Sequence, residues 1–531
     1  MDDPEVFAQK VVMQWLHESG HLDVLRSLEA AVGRTYDNDD ESLPEASQLM
    51  QLVWRHLETR LQEDAEDAED AEGGAGAGAH PLRRRRHEEA LALLRAGDDD
   101  YAGRRVVGEA PVEVHRANVI AVRLLPQDPG CPGAGEAGAD SATVITAAGD
   151  GAVRCVRMSL GSSGGGSGGG SGDGGSQGGA EVVWKTQLSS AALLTLALHP
   201  SYRRGLPLVA VGGMDGSLAV LHGPSGRLLA SARVHAKYVV RAAWAPEDLT
   251  GPQDAAQGQG QEAQGPEGEE ARRDGGAEGQ EGQRQGPVRL LLASASMDES
   301  VALLGLSLWP HEGAAAEAGP GGGTGWGLDS ARAELEVIKQ IPYGAAVADV
   351  AFLRDCRTLV VGVRGSNYLR LLDAGELWRR HTAGQQSGSS LPEALANMNE
   401  AGDDHVSFSA KQLLPSPCGR YLLVLTDSPR LLVMRCADWS VLKLIFGLPV
   451  DQFPQPAAAW HRDSNYIYAA GAGAQVCVFH LGSGRLVHRS APHRVNVRDL
   501  DYDPGRNLLA SCSFDKTVKL MAGGEEGEGA A

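Results

Sequence analysis

Three short patterns in this 531-residue chain carry residue types able to do chemistry. His17-Glu18-Ser19-Gly20-His21 matches the HExxH spacing, in which two imidazoles one helical turn apart hold zinc and the glutamate acts as general base. Gly161-Ser162-Ser163-Gly164-Gly165 and Gly165-Gly166-Ser167-Gly168-Gly169 match the GxSxG spacing of a nucleophilic serine. Asp403, Asp404 and His405 set two carboxylates beside an imidazole. Each chemistry depends on an element that holds its geometry. The zinc pattern needs an unbroken helix, but Gly20 falls where the helical periodicity breaks, and no third ligand is evident. The serine patterns need a strand before and a helix after them, and both lie in a Gly/Ser tract that holds no geometry. The Asp-Asp-His triplet reads as a loop. No Gly-rich segment ends in Gly-Lys-Ser/Thr, and no GxGxxG stands between a strand and a helix. The chain is therefore expected to be non-enzymatic, with no catalytic residue, no metal ligand and no cofactor.

The net charge of −21 argues against a nucleic-acid partner, because phosphate binding needs clustered Lys and Arg. Seven cysteines are dispersed without CxxC spacing, which suits reduced thiols in an intracellular, cytoplasmic or nuclear protein. No apolar run approaches the roughly 18 residues that span a bilayer, so no membrane partner is expected.

Two helical patterns open the chain. Val11, Val12, Trp15 and Leu16, then Leu22, Leu25 and Leu28, keep helical spacing on either side of Gly20 and predict a hairpin over 4–34. A helical extension is expected over 35–62, where Leu49, Leu52, Val53 and Leu57 share a face. Residues 63–103 read as an acidic, Gly-rich tether with a short helix near His87 to Arg95. Low-complexity blocks at about 161–179, 250–286 and 311–328 read as disordered insertions, and 522–531 as a disordered tail.

From 104 to 521 one spacing recurs: a start residue, then apolar positions four, seven and nine further on, often with Pro at eleven. His115 leads to Val119, Val122, Leu124 and Pro126. His235 leads to Val239, Ala242, Trp244 and Pro246, and His493 to Val497, Leu500, Tyr502 and Pro504. Weaker copies begin at Ser189 and run through Val347, Ala410 and Ala458, giving seven in all. Behind several copies come two aliphatic strands around a tight turn that carries Asp150, Asp215, Asp298 or Asp515.

LLASCSFDKTVKLM resembles the WD-repeat signature, and the leading His resembles its Gly-His element. The resemblance implies an all-β fold, a seven-bladed WD-repeat β-propeller after a small α-helical N-terminal region. It also implies a hydrogen-bonded tetrad of His, Ser or Thr, Asp and Trp within a blade. The matching residues are His493 with Ser511 or Ser513 and Asp515, His235 with Ser294 or Ser296 and Asp298, and His115 with Asp150. The Trp position holds Val156, Leu221, Leu304, Leu372, Met434, Phe479 and Met521 in turn, so no tetrad is complete. Because the last blade has only three strands of its own, Arg105 to Val114 is predicted to supply its outer strand.

VVMQWLHESGHLDVLRSLEAAVG is similar to the LisH dimerisation motif. That likeness implies a homodimer paired through Val12, Trp15, Leu16, Gly20, Leu25 and Leu28. In WD-repeat propellers partners dock on the face where loops lead into the inner strands. This nominates Tyr238 and Arg498 first, then Lys237, Asn118, Arg494 and Asn496, with Arg364 apart from them. The expected function is a scaffold that binds proteins through the propeller and self-associates through the hairpin. The alternatives are a ubiquitin-ligase substrate receptor, although no WDxR box occurs, and a propeller-housed hydrolase or lyase.

Overall fold

The computed structural model describes residues 4–18, 21–36, 89–90, 92–94, 100–126, 141–161, 179–246, 287–309, 328–355, 357–385, 393–399, 402–450 and 455–524. Within them the aliphatic runs form seven four-stranded antiparallel sheets, the blades of a β-propeller. The inner strands, in order, are Val119–Leu124, Leu193–Leu198, Val239–Trp244, Val347–Phe352, Ala410–Pro415, Ala457–Trp460 and Val497–Asp503.

The uneven spacing of the repeat has a structural cause. A strand that alternated strictly would bury every second residue, whereas the pattern steps by three and then by two. In six of the inner strands the register shifts at the start, as between Val119 and Ala121 or between Val497 and Asp499. This β-bulge inserts one residue, so the first, fourth and sixth positions face the same core. Val119, Val122 and Leu124 are accordingly 0%, 0% and 4% exposed.

Polar side chains at the third position of the inner strand tie successive blades together. Asp499 of blade seven accepts from the Val122 N–H of blade one at 3.1 Å. Asp349 of blade four accepts from the Leu413 N–H of blade five at 2.7 Å and from Arg241 of blade three at 3.1 Å. Gln412 of blade five accepts from the Ala458 N–H at 3.1 Å. Two indoles add to this, since Trp244 donates to the Ala197 carbonyl and Trp460 to the Leu414 carbonyl of the preceding blade.

The ring closes as expected. Arg105–Ala110 pairs antiparallel with Val518–Ala522 as the outer strand of blade seven. The strand is shorter than predicted, because Pro111 begins a turn that brings the Val114 N–H onto the Pro111 carbonyl. Ala522, expected in the tail, is the last residue of its strand.

Helix α1 (Pro4–Glu18) and helix α2 (Leu22–Val32) form the N-terminal hairpin, broken where Gly20 suggested. Gly20 itself, residues 37–62 of the extension expected over 35–62 and most of the tether lie outside the described residues. Helical residues at 89–90 and 92–94 and the segment 100–104 run along the lower face, where inner strands end. There the Glu89 carboxylate accepts from Tyr421 Oη and from Arg435 Nε, Leu93 joins the core shared by blades five and six, and Ala102 N–H donates to Tyr468 Oη at 3.0 Å.

Residues 127–140, 162–178, 247–286, 310–327 and 386–392 connect strand ends on that lower face and lie outside the described residues, as do most of the proposed insertions. Helix α3 (Ala374–Thr382), unforeseen in the sequence, also stands there, with the Asp373 carboxylate capping the Glu376 N–H at 2.8 Å. The upper face, where chain segments lead into the inner strands, is built mainly from short turns.

Candidate partner-binding face

Two blades carry the hydrogen-bond network the repeat implies. In blade three His235 Nδ1 lies 3.0 Å from Asp298 Oδ2, and Nε2 lies 2.8 Å from Ser294 Oγ. In blade seven His493 Nδ1 lies 3.0 Å from Asp515 Oδ2, and Nε2 lies 2.8 Å from Ser511 Oγ. The serine is thus the first of each pair the sequence left open. The second, Ser296 or Ser513, instead donates to a loop carbonyl, that of Tyr238 or Val495.

Burial holds both imidazoles below the usual histidine range, outweighing the neighbouring carboxylates. Burial alone would raise Asp298 and Asp515. Hydrogen bonds from Ser300 or Thr517, from the backbone and from the imidazole outweigh it and hold both below the usual carboxylate range. The resulting state is a neutral imidazole that donates Nδ1–H to a charged carboxylate and accepts the serine O–H on Nε2.

The hydroxyls of Ser300 and Thr517 were missed in the sequence. Each donates to its turn carboxylate at 2.6 Å, and Ser217 donates to Asp215 at 2.5 Å. An Asp-x-Ser/Thr step recurs at all three turns and was the available signal. At the position where a Trp would complete the network, all seven residues from Val156 to Met521 are at most 2% exposed. Apolar packing replaces the missing indole.

Blades one and two depart from this arrangement. His115 is fully buried, but neither ring nitrogen has a hydrogen-bond partner. Asp150 is bound by Arg154 through both guanidinium Nη atoms. Ala152 stands where the other turns have a hydroxyl, and Arg154, four residues beyond Asp150, takes the carboxylate that His115 was expected to share. In blade two Ser189 donates to Asp215 Oδ2 at 2.7 Å, so a serine stands in for the histidine.

The nominated partner-binding residues all lie on the upper face. Asn118, Lys237, Arg364 and Arg494 are exposed, whereas Tyr238, Asn496 and Arg498 are half-buried. Asn496 is engaged with the Gly473 N–H, and Arg498 reaches Gln455 and lies 4.7 Å over the Phe514 ring. Phe514 had not been nominated, although it directly precedes a turn Asp.

Two of the patterns that suggested chemistry fall at least partly on described residues. His17 lies in the last turn of α1 and faces Tyr36, while His21 lies beyond that helix and faces Trp15. Asp403 and Asp404 sit in a loop held by Asn399, Asn397 and Tyr368. The two GxSxG matches lie almost wholly outside the described residues. Among the described residues no three His, Cys, Asp or Glu side chains gather as a metal site, and no helix is long and apolar enough to cross a membrane.

Seven blades with His–Asp–Ser networks inside two of them support a propeller of the WD-repeat class. Residues 484–520 match the family model described as WD domain, G-beta repeat, a stretch that takes in His493, Ser511 and Asp515. A search of curated proteins finds no match to the chain.

Proposed function

We propose that this chain is a non-enzymatic protein-interaction scaffold inside the cell, recruiting protein partners on the upper face of the propeller and self-associating through the α1–α2 hairpin. One observation carries the reading. On the upper face the turn carboxylates are consumed by their own blades, while Tyr238, Lys237, Arg494 and Asn118 project from short, hydrogen-bonded turns. Such a surface offers rigid side chains for recognition.

The dimer half rests on the hairpin. Met13, Leu16 and Leu25 are spent on the hairpin's own core, with Val12, Trp15 and Leu28 packed against it. The apolar surface left for a second copy centres on Leu22 and Val24, which are 45% and 55% exposed. Pairing two chains would raise avidity for a multivalent partner without new contacts.

Proximity labelling in cells with the wild type and with a Tyr238→Ala/Arg498→Glu variant tests the upper face. A set of labelled proteins should be lost in the variant, and identical sets would refute the reading. Light scattering at micromolar concentration should give twice the 55.7 kDa chain mass, reverting to one chain in Leu22→Asp/Val24→Asp. A monomeric wild type removes the self-association half.

A further inference from the structure

Blade seven presents a basic and aromatic patch on a chain whose net charge is −21. It is formed by the loop after His493 and the turn around Asp515, which are laced side by side. Phe514 N–H donates to the Asn496 carbonyl at 3.3 Å, Ser513 Oγ to the Val495 carbonyl at 3.0 Å, and Arg494 N–H to Asp515 at 3.0 Å. The lacing brings together Arg494, Val495, Arg498, Phe514 and Lys516.

Two of these are apolar side chains left partly in water beside the three cations. Val495 is 46% and Phe514 38% exposed. The Arg498 guanidinium covers one side of the Phe514 ring, so the ring is already held in a fixed orientation. The carboxylate at the centre of the two loops, Asp515, is turned inward onto His493, Thr517 and the Arg494 N–H. It therefore does little to offset the three cations toward an incoming ligand.

We infer that this patch binds an acidic peptide segment, with one apolar side chain seated against Phe514 and Val495 and flanking Asp or Glu residues facing Arg494, Arg498 and Lys516. The inference rests on the scaffold reading and names the chemistry of its partner. Complementary charge would speed encounter and set the register, and the aromatic contact would supply the anchor.

The test is selection of a phage-displayed random 12-residue peptide library on the full-length protein, with counter-selection on Arg494→Glu/Lys516→Glu. Arg494 is exposed and gives only its backbone N–H to Asp515, so the reversal should leave the fold intact, as a thermal melt would check. Enriched peptides should carry Asp or Glu around an apolar residue. Resynthesised with fluorescein, they should bind about tenfold or more weakly to the reversal variant and to Phe514→Ala.

Enrichment without acidic bias, no enrichment over the variant, or equal affinity for a single-stranded DNA 20-mer would overturn the inference. If proximity labelling depends on Tyr238 and Arg498 while no acidic peptide is selected, the scaffold stands and the patch fails. If no labelled protein depends on the upper face, the scaffold reading itself falls.

Discussion

At the scale of single residues, the buried histidines and turn aspartates are structural parts with calculable consequences. Asp298 satisfies His235 Nδ1–H, the Ala236 N–H and the Ser300 hydroxyl. Asp298→Ala should cost about 3 kcal/mol in chemical denaturation, because it strands two buried donors. Acid should weaken the fold through its buried histidines. Burial pushes His115 and His199 down to about 4, so between pH 6.5 and 4 they take up protons in the unfolded chain and not in the fold. Stability is then fully present above 6.5 and falls as pH drops toward 4. Asp501 opposes this, since burial pushes it up to about 6 and it gains stability over part of the same window. The lowered imidazoles, His235 and His493 among them, outnumber it, so the net effect is a loss of stability as pH falls through this window. Denaturation midpoints across that range should show it, and His199→Phe should flatten the slope.

At the scale of elements, the turns between second and third strands share one backbone shape reached with different residues. Gly216 has φ +80°, and a Cβ there would meet the His235 carbonyl at 2.1 Å. Glu299, the matching residue in blade three, takes φ +71° with a side chain. Gly216→Ala should therefore destabilise by about 2 kcal/mol or more, and Glu299→Gly should be neutral or stabilise by up to about 1 kcal/mol. Thermal melts should fall clearly for Gly216→Ala and not fall for Glu299→Gly. The same turns show how far the sequence could be read. His, Asp and the step of three then two were visible because bulge and network repeat at one register. Arg154 capturing Asp150 was not, since it depends on which neighbour wins a carboxylate in three dimensions. Helix α3 was legible in principle from Asp373-x-x-Glu376, but it stood where a strand connection was expected.

For the whole molecule, stability rests on seven similar blades and one unusual closure. The number of blades could be predicted because the repeat spacing registers seven copies, and the closing strand because the last copy has only three strands of its own. The ties between blades through Asp349, Gln412 and Asp499 were not foreseen, since a polar residue in an inner strand says nothing of which backbone it will meet. Ala110 is wholly buried in the core shared by blades seven and one. Ala110→Glu should loosen the closing strand, cost about 3 kcal/mol or more and raise hydrogen exchange at 518–522 above that of blades two to five. A uniform rise around the ring would mean the closure is not a separate weak point.

That closure also sets a clock. Arg105 pairs with Ala522, 417 positions further along the chain. A ribosome adding about 5–20 residues per second needs roughly 20–80 s to make the partner of a strand that has already emerged. Through that interval the nascent chain holds an unpaired strand and a growing stack of blades with an open edge, the form most open to chaperones and to mispairing with a neighbour on the same messenger.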